Sequence, residues 1–264
     1  MTQNKSRRMR RLFREDGRAV IVAIDHGGFF GLQPGLEQPG EVIRQVAGGG
    51  ADAIMTTYGL AQHFVDELAA TGLILRVDGG VSRLGTRAWR GRRTFSVEAA
   101  LRLGADGVVA MGFPGAENED QNLRDLAELS DECGGWGLPL MAELLPRGFE
   151  GGDDARLPDT MAAAVRIGAE LGADIIKTQY TGDVESFRKV VAGCFVPLVV
   201  LGGAKMEDDA AALTAVRGAM EAGSRGVAMG RNIWGHRNPR KMAAAVAAIV
   251  HEDASVERAL ALLE

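Results

Sequence analysis

Cysteine is almost missing from this chain. Cys133 and Cys194 stand far apart and in no C-x-x-C spacing, which argues against a disulfide framework and for a cytoplasmic protein with reduced thiols. No apolar run reaches the length of about eighteen residues that a membrane span needs. The four histidines, His26, His63, His236 and His251, are scattered, with no H-x-x-x-H pair. Tyrosine occurs only as Tyr58 and Tyr180. Lysine is scarce too: Lys5, Lys177, Lys189, Lys205 and Lys241 stand against twenty-five arginines. The net charge of -5 argues against a general nucleic-acid surface.

What is present suits a globular fold. With 264 residues, 46% hydrophobic and 25% charged, the chain has material for one α/β barrel over residues 1–264, and no linker suggests a second domain. The basic stretch from Lys5 to Arg14 is followed at once by Glu15 and Asp16, without the apolar core of a signal peptide. Met9, Leu12 and Phe13 share one helical face, so a short N-terminal helix closing the bottom of a barrel is expected.

One phrase recurs. Gly50-Ala51-Asp52-Ala53, Gly104-Ala105-Asp106-Gly107 and Gly172-Ala173-Asp174-Ile175 share a pattern, with Gly223-Ser224-Arg225-Gly226 a looser copy. In each, an Ala-rich helical stretch ends at a glycine that can serve as C-cap, and a short apolar strand follows. Eight strands are predicted near Val20–Ile24, Ala53–Thr57, Leu73–Val77, Gly107–Met111, Leu138–Leu144, Asp174–Thr178, Leu198–Leu201 and Gly226–Met229. Eight strands at this length favour a closed TIM (β/α)₈ barrel over an open sheet. Long Gly- and Pro-rich segments follow the strands, where a barrel builds its active site.

Lys177 ends the sixth strand. Both faces of a barrel strand are buried, so a lysine there needs a partner or a purpose. Arginine keeps its proton, whereas a desolvated lysine can lose one and become a nucleophile. The other reading is a structural lysine paired to a carboxylate. Gly202-Gly203-Ala204-Lys205 follows strand seven and Gly230-Arg231-Asn232 follows strand eight, the two joints at which barrels commonly bind phosphate. Glycine lets the backbone approach the oxygens, and Arg231 can fork onto them.

Asp25 and His26 end strand one, as a catalytic or substrate-binding pair or as a turn cap. Glu143 lies near the end of strand five, two residues before Leu145 and therefore on the same side of the strand. Among Leu and Met its pKa is expected to rise, as suits a general base; alternatively it balances the charge of Lys177 or Arg76. Tyr180 follows Lys177 closely. A rival metal site would draw on Asp25, His26 and His236. The arginines Arg83, Arg87, Arg90, Arg92 and Arg93 read as solvated, at a subunit contact, or steering an anionic substrate.

The stretches Ala23-Ile24-Asp25-His26-Gly27, Leu171 through Lys177 with Tyr180-Thr181-Gly182-Asp183, Gly202-Gly203-Ala204-Lys205 and Met229 through Trp234 together resemble the archaeal-type class I fructose-bisphosphate aldolases. The resemblance implies that Lys177 forms an iminium assisted by Asp25. It also implies that Arg147 and the glycines near 202 and 230 hold phosphate, that no metal or cofactor is required, and that barrels assemble into homo-oligomers, decamers included. The substrate implied is a phosphorylated ketose or aldehyde, with dihydroxyacetone phosphate as a product. His26 and Lys205 join the expected substrate-binding set. The segment from Val190 to Pro197 is similar to the thiolase of phosphorylated autoinducer-2 breakdown, which passes an acetyl group to coenzyme A; the heptulosonate synthases form a third branch. One departure matters: the aldolases carry an acid/base tyrosine directly before Pro-Arg-Gly, and this chain has Leu145. Glu143, with Tyr180, is expected to stand in for it.

Overall fold

The computed structural model describes residues 5–85, 92–206 and 208–264. Eight parallel strands close into a barrel: β1 (Ala19–Ala23), β2 (Ala53–Thr56), β3 (Gly72–Arg76), β4 (Gly107–Gly112), β5 (Leu140–Leu144), β6 (Ile175–Gln179), β7 (Leu198–Leu201) and β8 (Gly226–Met229). Each pairs with its sequence neighbours, and β1 also pairs with β8, with Ile21 beside Ala228. β5 begins after Pro139, later than expected, because proline has no N–H to give to a ladder.

The recurring glycine marks the helix-to-strand joints before β2, β4, β6 and β8 as expected, but one residue later than a C-cap. Leu171 caps the helix Pro158–Glu170, and Gly172 beyond it takes φ 93°, a left-handed conformation in which a Cβ would be strained. The aspartate of the phrase then ties neighbouring strands. Asp174 accepts from the backbone N–H of Leu140 at 2.9 Å, and Asp52 accepts from that of Val20 at 2.6 Å.

The strands bury both faces, and the two sides have different partners. Outward residues such as Val22, Ile54 and Ile176 pack against the surrounding helices. Inward residues such as Ile21, Met55, Ile74, Met141 and Ile175 fill the barrel together with Met9, Leu12 and Phe13. The helix Ser6–Leu12 therefore closes the bottom, as its apolar face predicts. It packs so closely that a Cβ on Gly72 would lie 2.5 Å from the Arg11 carbonyl oxygen, so only glycine fits at the start of β3.

Above β3, Asp78–Gly79 pairs antiparallel with Arg92–Arg93. Arg92 binds Asp125 and Arg93 binds Glu132, both on the helix Glu119–Trp136. Neither arginine lines the barrel mouth, which corrects the steering alternative for these two; Arg87 and Arg90 lie outside the described residues. No helix among the described residues is long and apolar enough to cross a membrane.

Candidate active site

Alternation along the strands decides which side chains reach the barrel mouth. On β3 it turns Ile74 and Arg76 inward, on β5 Met141 and Glu143, and on β6 Ile175 and Lys177. The lower member of each pair fills the core, and the upper member is charged. Glu143 and Lys177 are register partners on adjacent strands, and Glu143 Oε1 lies 2.8 Å from Lys177 Nζ. The other Glu143 oxygen accepts from Arg76 Nη2. Arg76 Nε donates to Asp25, just past the end of β1, and Nη1 donates to Asp78 Oδ1 at 2.8 Å. One guanidinium thus organises three carboxylates, and every member of the group is at least nine-tenths buried.

Such burial is tolerable only because the charges are mutually satisfied. Desolvation pushes the Asp25 carboxyl up, but Arg76 above all, then His26 and Lys177, hold it well below the usual carboxylate range. Desolvation likewise raises Glu143, and the Lys177 ammonium and Arg76 guanidinium outweigh it, leaving its pKa lowered. This corrects the expectation of a raised pKa. Glu143 sits beside two cations rather than in an apolar pocket, and the charge-balancing alternative describes its geometry. Asp78 is the exception: burial pushes it up, and Arg76 and the Met111 N–H do not fully offset that.

Above this group opens a cavity of about 300 Å³, lined by Asp25, His26, Arg76, Glu143, Lys177 and Gln179. Phe29, Phe30, Leu145 and Phe149 form its apolar wall, and Gly202, Gly203, Gly230 and Arg231 line the side fed by β7 and β8. Arg231 Nη2 donates to the Gly203 carbonyl at 2.8 Å, while its Nε is buried without a hydrogen-bond partner. Asn232 holds the β7 loop in place, donating to Gly202 O at 2.7 Å and accepting from Met206 N at 2.7 Å. His26 Nδ1 lies 3.4 Å from Asp25 Oδ1, and its ring meets Trp234 edge-on.

Three expected site residues are placed elsewhere. Tyr180 packs its ring edge-on against Phe187, with its hydroxyl over Gly218 on the helix Asp209–Glu221, outside the barrel. It cannot replace the missing tyrosine, because β6 alternation turns Lys177 and Gln179 inward and Tyr180 outward. Arg147, at φ 59°, pairs with Asp154 and does not line the cavity. Lys205 Nζ donates to the Gly235 carbonyl. The rival metal set is not assembled either. His236 is held by Asn238 and by Asp209, the latter at 3.2 Å, and among the described residues no three His, Cys, Asp or Glu side chains are grouped to hold a metal ion.

The sequence reading missed Arg76 as the organising residue, and also Asp78 and Arg156. For Arg76 the signal was there: a charged side chain ending an apolar barrel strand, the same feature that drew attention to Lys177. Arg156 carries no such mark, because it reaches the cavity only through the path of a loop.

The comparisons with known proteins agree with this geometry. A family model described as DeoC/LacD family aldolase matches residues 19–236. The 2-amino-3,7-dideoxy-D-threo-hept-6-ulosonate synthase of Halobacterium salinarum is 36% identical over 257 residues, spanning 97% of this chain and 95% of that protein. An uncharacterised aldolase of Saccharolobus solfataricus is 34% identical over 273 residues, spanning 97% and 98%. Among solved structures, a Schiff-base-forming fructose-1,6-bisphosphate aldolase superposes with a TM-score of 0.86 at 32% identity, covering 94% of this chain and 100% of that one.

Proposed function

The chain belongs to the DeoC/LacD family of aldolases and is a class I, Schiff-base aldolase, and from that premise we propose that Lys177 is its nucleophile, acting on a phosphorylated ketose. The observation that carries this reading is the buried Lys177–Glu143 pair at the floor of a cavity whose β7–β8 side presents Gly203, Gly230 and Arg231.

The chemistry runs as follows. Lys177 gives a proton to Glu143, 2.8 Å away, and its free amine attacks the ketone carbon. Asp25 and Glu143 move protons as the carbinolamine loses water to become an iminium. The hydroxyl on the far carbon of the breaking bond gives its proton to Asp25, the iminium draws in that bond's electron pair, the other half leaves as an aldehyde, and an enamine remains on Lys177, to be protonated in turn from Asp25. Protonation and hydrolysis release a product such as dihydroxyacetone phosphate. The phosphate lies against the backbone near Gly203 and Gly230, where the unpartnered Nε–H of Arg231 finds an acceptor. Arg76 holds Asp25 and Glu143 in place and does not itself react.

A synthase-type transfer between two substrates is the second reading. The 36% identity to a heptulosonate synthase favours it, as does the apolar Leu145 where the aldolases place tyrosine. A homo-oligomer in the cytoplasm is the assembly and location that go with this reading. Borohydride reduction in the presence of dihydroxyacetone phosphate tests the proposal: the ketose mass must appear on the peptide bearing Lys177, and its absence there would overturn it.

A further inference from the structure

Asp25 and Glu143 already match the two cations of the cavity floor, Arg76 and Lys177. Asp78 adds a third carboxylate. Burial leaves its pKa raised, the mark of a charge that costs stability where it stands. Asp78 does not line the cavity, and no proton passes through it in the mechanism above. Neither charge balance nor proton transfer accounts for it.

Its geometry does. Alternation puts Asp78 on the same side as Arg76, two residues before it. Its Oδ1 accepts from Arg76 Nη1 at 2.8 Å, and its Oδ2 accepts from the Met111 N–H on β4 at 2.9 Å. The Asp78 backbone pairs with that of Arg93, and this short ladder is tied to the helix Glu119–Trp136 by Arg92–Asp125 and Arg93–Glu132. The carboxylate is therefore fixed on a rigid frame. A guanidinium is planar, with its N–H groups in one fork. Anchoring Nη1 thus sets the plane in which Nε meets Asp25 and Nη2 meets Glu143. Those two carboxylates take up protons during the proposed reaction, and each proton weakens the hold of Arg76 on the group that receives it. Asp78 takes none, so its hold on the fork persists through the cycle.

We propose that Asp78 is a positioning residue. By anchoring Arg76 it fixes where Asp25 and Glu143 stand around Lys177, without touching substrate. The inference rests on the Schiff-base reading of Lys177.

Asp78→Asn keeps the shape of the side chain but offers one acceptor where two donors converge. Turnover is read per competent site, counted as the Lys177 label that borohydride and dihydroxyacetone phosphate leave at completion. A merely structural role would lower the number of sites and not the rate at each. Asp78→Asn should lower kcat per labelled site by about tenfold to a hundredfold, as misplaced reacting groups do. KM for the ketose phosphate should stay within about twofold, because Asp78 makes no contact with it. Arg76→Lys has no fork to anchor, so adding Asp78→Asn to it should cost at most about twofold more. Asp78→Glu keeps the charge but displaces it, and it should be impaired per site as well; it carries the test alone if Asp78→Asn yields no labelled sites. The proposal is overturned by an unchanged kcat per labelled site in Asp78→Asn, by a rise confined to KM, by losses that multiply in the double variant, or by full turnover per site in Asp78→Glu. Failure of borohydride to label Lys177 in the unaltered enzyme would instead refute the Schiff-base reading.

Discussion

Glu143 holds Lys177 with one carboxylate oxygen and Arg76 with the other. The lysine's proton acceptor is therefore fixed in position by a cation that keeps it ionised. A carboxylate held below its ordinary pKa is a weak base for distant protons, yet at 2.8 Å it is well placed to take one from an ammonium. On the proposed mechanism, Glu143 therefore serves formation of the Schiff base rather than cleavage of the carbon–carbon bond.

Glu143→Gln should slow turnover by about 10²–10⁴-fold, the usual loss when a proton-transfer group is removed. The rate of borohydride trapping should fall with it. If turnover drops while trapping keeps its original rate, Glu143 acts on the bond-breaking step and the assignment is wrong.

Lys177→Met should eliminate trapping, whereas Lys205→Met should leave the label on the Lys177 peptide. A chelator such as EDTA should not change turnover of the unaltered enzyme. Label found on Lys205, or full inhibition by the chelator, would contradict a Schiff base at Lys177.

Arg231→Met should weaken ketose-phosphate binding by about 1.5–3 kcal/mol, the worth of a charge-assisted hydrogen bond, and hardly affect the unphosphorylated sugar. Equal losses for the two ligands, measured by calorimetry, would remove Arg231 from the phosphate site.

Tyr180→Phe should keep turnover within about twofold, because the hydroxyl lies over Gly218 outside the barrel and takes part in no proton-transfer step. A loss like that of Glu143→Gln would show that this tyrosine reaches the substrate after all.

His251 gives a pH-dependent stability prediction remote from the cavity. Its Nδ1 lies 2.7 Å from Asp16 and its Nε2 2.9 Å from Asp52. Burial pushes its pKa down, but the two carboxylates outweigh this and raise it above the ordinary value near 6.5. A raised pKa contributes stability that is fully present below the unfolded value and is lost as pH rises through the folded one. His251→Gln should thus lower the melting temperature by about 2–4 °C per kcal/mol lost. The gap from the unaltered protein should be largest below pH 6.5 and narrow in alkaline buffer. A gap that is constant across pH would show that the imidazole is not charged there.

The barrel was legible in the sequence because its signals are local. A glycine at positive φ, an aspartate that ties adjacent strands and a strand buried on both faces recur at the joints before β2, β4 and β6, and none depends on a distant loop. The pocket floor was legible for the same reason. Period-2 alternation turns Lys177 and Glu143 inward, and it would have found Arg76 had it been applied to Leu73–Val77. It also turns Tyr180 outward, one step past Gln179. Beyond the strand ends that logic stops. Arg147 and Arg156 are nine residues apart on one loop, and which of them faces the cavity depends on the ion pair to Asp154 and on a left-handed backbone at Arg147.

The bottom of the barrel bears on when this site can exist. Lys5 reaches across to Asp174, 2.7 Å away, at the foot of the strand that carries Lys177, and Leu12 is enclosed among residues from β3, β4 and β6. On the ribosome, residues 5–12 emerge long before any of those surfaces has been made. The barrel end that the helix covers is not complete until β8 has been synthesised, and Lys5 must find a partner 169 residues downstream. The helix seats fully only against a barrel whose later strands are in place, so a closed floor beneath the lysine marks a completed barrel.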